Sequence, residues 1–197
     1  NIKLHIAFGI FLFSLLVSIS IMFLVSKIIF PYKELNMTIN LIKADYNNEQ
    51  HSKDLIMLLN AYALDPMGGG EALAADVQKN LVATLAKRDD VFTVLCYVDD
   101  EPAGIINCVE GFSTFSCKPL INIHDCGVLA KFRGLGISLK MFAAVEKIAI
   151  KRGCCKLTLE VLQGNKVAKK AYEKLGFSGY ELDPTLGHAL FWEKKLK

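Results

Sequence analysis

A glycine-containing segment, Arg133-Gly134-Leu135-Gly136-Ile137-Ser138, constrains the fold of this chain more than any other feature of its sequence. It joins a strand-like run, Leu120 to Leu129, to a run with helical spacing, Gly136 to Arg152, which ends before Gly153. Glycines at such a turn expose backbone N–H groups, and the start of the helix adds a partial positive charge. The segment therefore suits a phosphate or pyrophosphate group. It is neither a P-loop, because no Gly-Lys-Thr follows, nor a Rossmann fingerprint, because an antiparallel hairpin precedes it.

Strand-like and helix-like runs alternate from Met37 onward, which predicts one α/β (α+β) domain over residues 37–197. The predicted strands cover 38–43, 91–98, 103–115, 120–129, 156–162, 176–180 and 189–194, and the predicted helices cover 47–61, 71–87, 136–152 and 165–175. Asp99-Asp100-Glu101-Pro102 is the predicted turn of a hairpin. A domain of this length can bury a substantial core.

The first 36 residues have a different composition, that of a hydrophobic leader. No charged residue occurs from Ile6 to Ser26, a run long enough to cross a bilayer as a helix. A signal peptide is a weaker interpretation, because Ser18-Ile19-Ser20 is a poor cleavage site. The flanking lysines mildly favour a cytosolic C-terminal side. Two interpretations stay open: a genuine membrane anchor, or upstream sequence translated in error before Met37, which directly precedes the first strand. We favour the second.

Charge and cysteine content argue against nucleic acid and structural zinc. Residues 37–197 contain 20 of the 23 basic side chains and 19 of the 20 acidic side chains. This part of the chain therefore has almost no net charge to attract nucleic acid. All 6 cysteines also lie there, without a CxxC pair or a Cys/His ligand ladder. This usage predicts reduced thiols, a cytoplasmic location and no metal.

Two motifs together resemble a known family, the GNAT superfamily of GCN5-related N-acetyltransferases. Val128 to Ser138 resembles its acetyl-CoA loop, whose pattern is Arg/Gln-x-x-Gly-x-Gly/Ala, with Ser138 as the one departure. The residues of the second signature are Leu159-Glu160-Val161 at the end of a strand, Asn165, Ala168, Ala171-Tyr172 and Leu175-Gly176-Phe177. The resemblance covers Met37 to Lys197. It implies a mixed, mostly antiparallel, centrally splayed sheet flanked by helices.

The resemblance also implies acetyl-CoA as the co-substrate, bound between the strands that end near Val128 and Val161. Its pantetheine arm would pair with the backbone of Cys126, Gly127 and Val128, where Gly127 permits a bulge or a close approach. Its pyrophosphate would bind the amides of Gly134, Leu135, Gly136, Ile137 and Ser138, with Arg133 beside it. Asn165 would hydrogen-bond the pantetheine, and plain N-capping of the short helix explains it equally well.

Acetyl transfer from a thioester needs a group that deprotonates the amine, and it benefits from one that protonates the leaving thiolate. By resemblance Tyr172 is the general acid, and its other interpretation is simple packing against Phe177. Period-2 alternation puts Leu120, Asn122 and His124 on one strand face and Ile121, Ile123 and Asp125 on the other. His124 matches a base position of the family, and its other interpretation is a core histidine. Asp125 is the second candidate base if a bulge turns it into the cleft, and a water relay stays open.

The predicted function is direct acetyl transfer from acetyl-CoA to an amine acceptor, a small molecule rather than a protein. Acceptor-binding candidates are Asp65 to Gly70, Glu110 to Phe115, Tyr180 and His188. A membrane is a partner only if residues 6–26 are genuine, and a homodimer is left open. Two alternatives remain: a non-catalytic acetyl-CoA sensor, and a membrane-tethered interaction protein.

Overall fold

The computed structural model describes residues 37–183, 185 and 187–196, so the predicted leader, residues 1–36, lies outside the described residues. The strands are β1 (Ile39–Lys43), β2 (Val91–Val98), β3 (Glu101–Ser113), β4 (Lys118–Val128) and β5 (Leu157–Leu159). The helices are α1 (Glu49–Leu64), α2 (Ala75–Leu85), α3 (Ile137–Lys151) and α4 (Lys166–Lys174). Within these described ranges, no helix combines the length and the hydropathy that crossing a bilayer requires.

One mixed sheet carries the described strands in the order β1-β2-β3-β4-β5. Strands β1 to β4 pair antiparallel, and β5 joins β4 in parallel. A two-residue turn, Asp99-Asp100, connects β2 to β3, and its φ angles of 49° and 64° are both positive, as a type I′ turn requires. The predicted mixed, mostly antiparallel sheet is therefore confirmed.

The pairing between β4 and β5 is short. It joins only Ile121, Asn122 and Ile123 to β5, and it ends opposite Leu159. From Asp125 to Val128, the strand pairs with β3 alone among the described strands. The sheet thus opens along one edge of β4, just before the chain enters the glycine-containing segment.

Helices cover both faces of the sheet. On one face, Leu55 and Leu58 of α1 cluster with Leu95 and Ile105 of the strands. On the other, Met141 of α3 packs so closely on Gly104 that an added Cβ there would lie 2.9 Å from the methionine Cε. Burial of each large apolar side chain contributes about 1.5–3 kcal/mol to stability. The two helix layers therefore hold the central strands β2 and β3 in place from both sides.

The C-terminal part differs from the prediction. The strands predicted over 176–180 and 189–194 are wrong, since one isolated bridge, Glu181 to His188, is what the described residues form there. Leu190, Phe191 and Trp192 are exposed. An alternating apolar pattern favours a strand, but a strand also needs an edge to pair with. The other predicted elements are confirmed with shifted ends: α2 begins at Ala75 and β5 ends at Leu159.

Candidate active site

A β-bulge in β4 decides which side chains face each side of the sheet. Asn107 of β3 opposes Asp125, whereas the next residue, Cys108, opposes Ile123. His124 is therefore the extra residue of the bulge. Its side chain is exposed, so the interpretation of His124 as a core histidine is wrong.

The bulge reverses the alternation beyond it. Asp125 lies on the same face as Gly127, which is the face that α1 covers. Ile121 and Ile123 are buried on the opposite face. The predicted grouping of Asp125 with these two isoleucines is wrong, because strict period-2 alternation holds only while the strand has no extra residue.

Tyr62 of α1 packs directly on the backbone of β4. A Cβ added at Gly127 would lie 3.0 Å from the Tyr62 Cβ, so glycine is what allows the close approach. Burial raises the pKa of the Tyr62 hydroxyl, and the nearby Asp125 and Asp65 carboxylates act in the same direction. Tyr62 is thereby kept as a neutral phenol between two carboxylates.

A cavity of about 330 Å³ opens beside Tyr62, between the end of α1 and the end of β4. Its lining residues are Leu58, Ala61, Tyr62, Leu64, Asp65, Gly127, Val128, Leu129, Ala130 and Arg133. Arg133 Nη2 donates to Asp65 Oδ2 at 2.8 Å, and Arg133 Nε donates to the Val128 carbonyl at 3.0 Å. A hydrogen bond from the Met67 backbone N–H and the Arg133 guanidinium lower the pKa of Asp65. A carboxylate and a phenol ring therefore line one cavity.

The glycine-containing segment enters α3 through two left-handed residues. Gly134 and Gly136 have φ angles of 83° and 70°, a region that glycine adopts without strain. A Cβ at either position would meet nothing within 4 Å, so the surface of the segment is open. The Ile137 side chain is buried, and its backbone amide lies in the first turn of α3. Among the residues that the structure describes, no side chain caps the N-terminus of this helix. An open surface beside uncapped N–H groups suits an anionic group such as a phosphate.

Tyr172 of α4 reaches β4 from the face opposite Asp125. Its ring packs against Phe142 and Phe177, at centroid distances of 5.3 and 6.1 Å. Its hydroxyl lies beside the Cys126 thiol, and each group affects the pKa of the other. Burial raises the pKa of Tyr172 well above its ordinary value and raises the pKa of Cys126 to about 12. Tyr172 therefore both packs against Phe177 and places its hydroxyl beside a sulfur atom.

Other candidate residues are engaged in local contacts. Asn165 is the N-cap of α4, and its Oδ1 accepts from the Ala168 N–H at 3.1 Å. Glu110 pairs with Arg152 at 2.6 Å, and Phe115 is fully exposed. In the described part of the chain, no three His, Cys, Asp or Glu side chains gather in a metal-binding arrangement.

Sequence reasoning missed two residues of this site. Tyr62 follows Leu55 and Leu58 at helical spacing, which indicates one more apolar position on the buried face of a helix, and nothing nearby distinguishes it. Asn107 lies in a predicted strand and contacts Asp125 through its side-chain amide. The signal that identifies Asn107 is a polar residue in the middle of the apolar run Ile105-Ile106-Asn107-Cys108.

Comparison with known families bears directly on this arrangement. A model described as the acetyltransferase (GNAT) family matches residues 55–177, which is more than half of the chain. The chain belongs to the GNAT acetyltransferase family. In this GNAT chain the match runs from within α1 to just beyond α4, and it therefore includes the cavity, the bulge, the glycine-containing segment and Tyr172.

Relatives of this GNAT chain include named acetyltransferases. An uncharacterized N-acetyltransferase of Archaeoglobus fulgidus is 32% identical over 95 residues, 48% of this chain and 65% of that protein. A thialysine N-epsilon-acetyltransferase of Bos taurus is 39% identical over 83 residues, 39% of this chain and 47% of that protein. The similarity thus spans less than two thirds of the length of either relative.

Solved structures share the fold. An aminoglycoside acetyltransferase from an uncultured soil metagenomic sample, in complex with trehalose, superposes with a TM-score of 0.64 at 16% identity, over 81% of this chain and 97% of that one. AAC(6')-Iy, in complex with a bisubstrate analogue of CoA and acetylneamine, superposes with a TM-score of 0.63 at 16% identity, over 81% and 99%. At this identity the likeness concerns the fold alone.

Proposed function

We propose that this GNAT chain is an N-acetyltransferase that transfers the acetyl group of acetyl-CoA directly to a primary amine on a small molecule. The observation that carries the proposal is the pair Asp125 and Tyr172. The two side chains flank β4 from opposite faces, at the point where β4 has left β5. A carboxylate and a phenol on either side of an open strand edge are suited to remove one proton and deliver another.

The open edge of β4 and the glycine-containing segment are the parts that would hold acetyl-CoA. Backbone groups of Cys126 to Val128 would pair with the pantetheine arm, as an added strand does. The amides of Gly134 to Ser138 would bind the pyrophosphate, and Arg133 would exchange the Asp65 carboxylate for a phosphate. When bound, acetyl-CoA supplies the activated acetyl thioester.

The side chains of the protein would supply the proton transfers. The Asp125 carboxylate would accept a proton from the acceptor ammonium, so that the amine nitrogen can attack. The Tyr172 hydroxyl would give its proton to the departing sulfur, and it would be reprotonated from solvent after CoA leaves. Its raised pKa keeps Tyr172 in the protonated form that this step requires. His124 and a water relay remain the other candidates for the base.

The cavity beside Tyr62 supports a cationic acceptor. The Asp65 carboxylate attracts an ammonium group, and the face of the Tyr62 ring attracts it as well. The apolar part of the lining, including Leu58 and Leu64, suits a carbon chain next to that ammonium. The bovine relative is named for thialysine, and two structural neighbours are named for aminoglycosides. These names define the first acceptors to test.

A cytoplasmic location is part of the same proposal. All 6 cysteines of the chain are unpaired, and Cys96 and Cys108 are buried as thiols. A reducing compartment preserves this state.

Cofactor binding is tested by thermal shift with a matched pair of variants. Gly136 and Gly153 lie at opposite ends of α3, with φ angles of 70° and 71° and open space at each Cβ position. Gly136→Glu and Gly153→Glu therefore carry the same backbone strain. We expect acetyl-CoA to raise the Tm of the full chain and of Gly153→Glu, but not of Gly136→Glu. Absence of any shift in the parent protein at millimolar CoA contradicts the proposal.

Catalysis is tested by thiol release from acetyl-CoA in the presence of amines. The panel contains thialysine, lysine, sisomicin and a peptide that begins with alanine. Thiol release that depends on one of these amines, together with an acetylated product by mass spectrometry, supports an N-acetyltransferase. Tight CoA binding without release for any amine supports the sensor alternative instead.

A further inference from the structure

A line of hydrogen bonds crosses the sheet and ends on Asp125. Thr93, Asn107 and Asp125 stand directly opposite one another on β2, β3 and β4. Thr93 Oγ1 donates to Asn107 Oδ1 at 2.6 Å, and Asn107 Nδ2 donates to Asp125 Oδ2 at 3.0 Å. At the far end, Tyr46 Oη lies 3.0 Å from Thr93 Oγ1. Four polar side chains thus form one continuous row on the α1 face of the sheet.

The hydrogen bonds of the row all donate in one direction, from Tyr46 toward Asp125. Thr93 has one hydroxyl proton, and it goes to Asn107, so Tyr46 must be the donor to Thr93. The Asn107 amide is thereby held with its oxygen toward Thr93 and its nitrogen toward Asp125. The reversed amide would place an oxygen against the Asp125 carboxylate, which only accepts, and the bond to Asp125 would be lost. Thr93 holds the other end of the amide in place, so a residue two strands away from Asp125 contributes to the position of the group that binds its carboxylate.

Water has little access to this row. Thr93 has 1% of its surface exposed, and Tyr46 and Asn107 are half-buried. Hydrogen bonds that are shielded in this way compete less with solvent and hold their geometry better than exposed ones. The row also lies at the bulge, since Asn107 is the last β3 residue before the register shifts.

One oxygen of Asp125 is left over by this arrangement. Asp125 Oδ2 accepts from Asn107, whereas Oδ1 accepts no hydrogen bond from the residues that the structure describes. The Asp125 side chain lies on the α1 face of the sheet, and Asn107 holds it through Oδ2. A carboxylate held through one oxygen keeps the other at a constant position for an acceptor ammonium.

We infer that Tyr46, Thr93 and Asn107 are positioning residues, which hold the Asp125 carboxylate at the angle that deprotonation of the acceptor requires. The inference rests on the proposed function, in which Asp125 is the base. None of the three would contact the substrate. Their contribution should appear in kcat, while the binding of acetyl-CoA should be unaffected.

Thr93 allows a matched test in the full chain. Thr93→Val keeps the shape and removes the hydroxyl, and Thr93→Ser keeps the hydroxyl and removes a methyl group. With the best amine of the acceptor panel, we expect Thr93→Val to lower kcat by about 10- to 100-fold, in line with the cost of a misplaced catalytic group. Thr93→Ser should restore kcat to within about threefold of the parent, since one donor is enough for the amide. The thermal shift with acetyl-CoA should be equal in all three proteins.

A double-mutant cycle separates positioning from a general structural effect. If Thr93 acts through Asp125, Thr93→Val should lower kcat in the parent and change it little in Asp125→Asn. The inference is overturned if the losses of kcat in Thr93→Val and Asp125→Asn are additive in the double variant. It is also overturned if Thr93→Val keeps the parental kcat. If Thr93→Val fails to fold, Tyr46→Phe serves instead, because it removes only the hydroxyl at the outer end of the row, and its kcat is judged by the same cycle.

Failure of the proposed function would give a different experimental result from failure of the positioning inference. If Asp125→Asn alone retains the parental kcat, Asp125 is not the base, and the positioning inference falls with it. If no amine of the panel is acetylated, the proposed function is overturned before the variants are compared. A large loss in Asp125→Asn combined with no loss in Thr93→Val overturns the positioning inference alone.

Discussion

Replacing Tyr172 with phenylalanine removes one hydroxyl and keeps the ring that packs against Phe142 and Phe177. The hydroxyl loses its contact with the Cys126 thiol. Loss of one polar contact of this kind costs about 0.5–1.5 kcal/mol of stability. In a domain of this size the Tm should fall by about 1–6 °C. The variant should therefore fold and bind acetyl-CoA.

The effect on the chemical step should be much larger than the effect on stability. A positioned proton donor contributes roughly 10²–10⁴ in rate, or about 2.7–5.4 kcal/mol of barrier. Burial raises the pKa of Tyr172 above its ordinary value of 10.0, so the hydroxyl stays protonated at neutral pH. Since the pKa is higher in the folded chain, the contribution of this group to stability is complete below about pH 10 and is lost as the pH rises further.

The assay is steady-state thiol release at saturating acetyl-CoA and amine, with a single-turnover measurement to show that chemistry limits kcat. Tyr97→Phe is the matched control, because the Tyr97 hydroxyl donates to Asp54 at 2.8 Å and neither residue belongs to the proposed site. We expect Tyr97→Phe to lower the Tm and leave kcat unchanged, whereas Tyr172→Phe should lower kcat at least 100-fold. A Tyr172→Phe enzyme with near-parental kcat, under conditions where chemistry is limiting, refutes the assignment and favours water as the acid.

Three further changes test other parts of the site. Asp65→Asn should release Arg133 for a phosphate and tighten CoA binding by up to about fivefold, since an exposed ion pair is worth about 0–1 kcal/mol; weaker binding in a titration would contradict this. Gly127→Ala should lower the free energy of unfolding by about 1–3 kcal/mol, because its Cβ would press on Tyr62. Gly111→Ala is the control, because its Cβ would meet only the Leu120 side chain. Urea denaturation should show a smaller loss of unfolding free energy for Gly111→Ala than for Gly127→Ala. The exposed cysteines are Cys117 and Cys155. These two should be alkylated first at pH 7.5, as counted by intact mass, and early labelling of Cys126, whose pKa burial raises to about 12, would disagree with the structure.

Local sequence was sufficient for the parts of the fold that depend on a few neighbouring residues. Gly136 and Gly153 mark the two ends of α3, because the backbone there has positive φ angles, 70° and 71°, that glycine adopts without strain. Asn165 caps α4 through a bond that spans three residues. The order of strands, glycine-containing segment and helix also carried the family resemblance, and the family match over residues 55–177 confirms it.

Tertiary structure alone decided the geometry of the candidate base. The alternation along β4 predicted Asp125 beside Ile123, and the bulge at His124 places it on the other face. A bulge exists only relative to the strand that it pairs with, so its position depends on β3 and not on β4 by itself. For the same reason the row from Thr93 through Asn107 could not be predicted, because its members meet only after two registers are set.

The same distinction explains the two largest differences from prediction. Tyr62 has the spacing of a core residue, and only the approach of α1 to Gly127 brings it beside Asp125. Residues 189–194 have the pattern of a strand and do not form one. Helix caps and turns satisfy backbone groups from within a few residues, so the sequence by itself determined them. Strand pairing, bulges and helix-to-sheet contacts depend on partners that are distant in the chain, and these were decided by the tertiary structure.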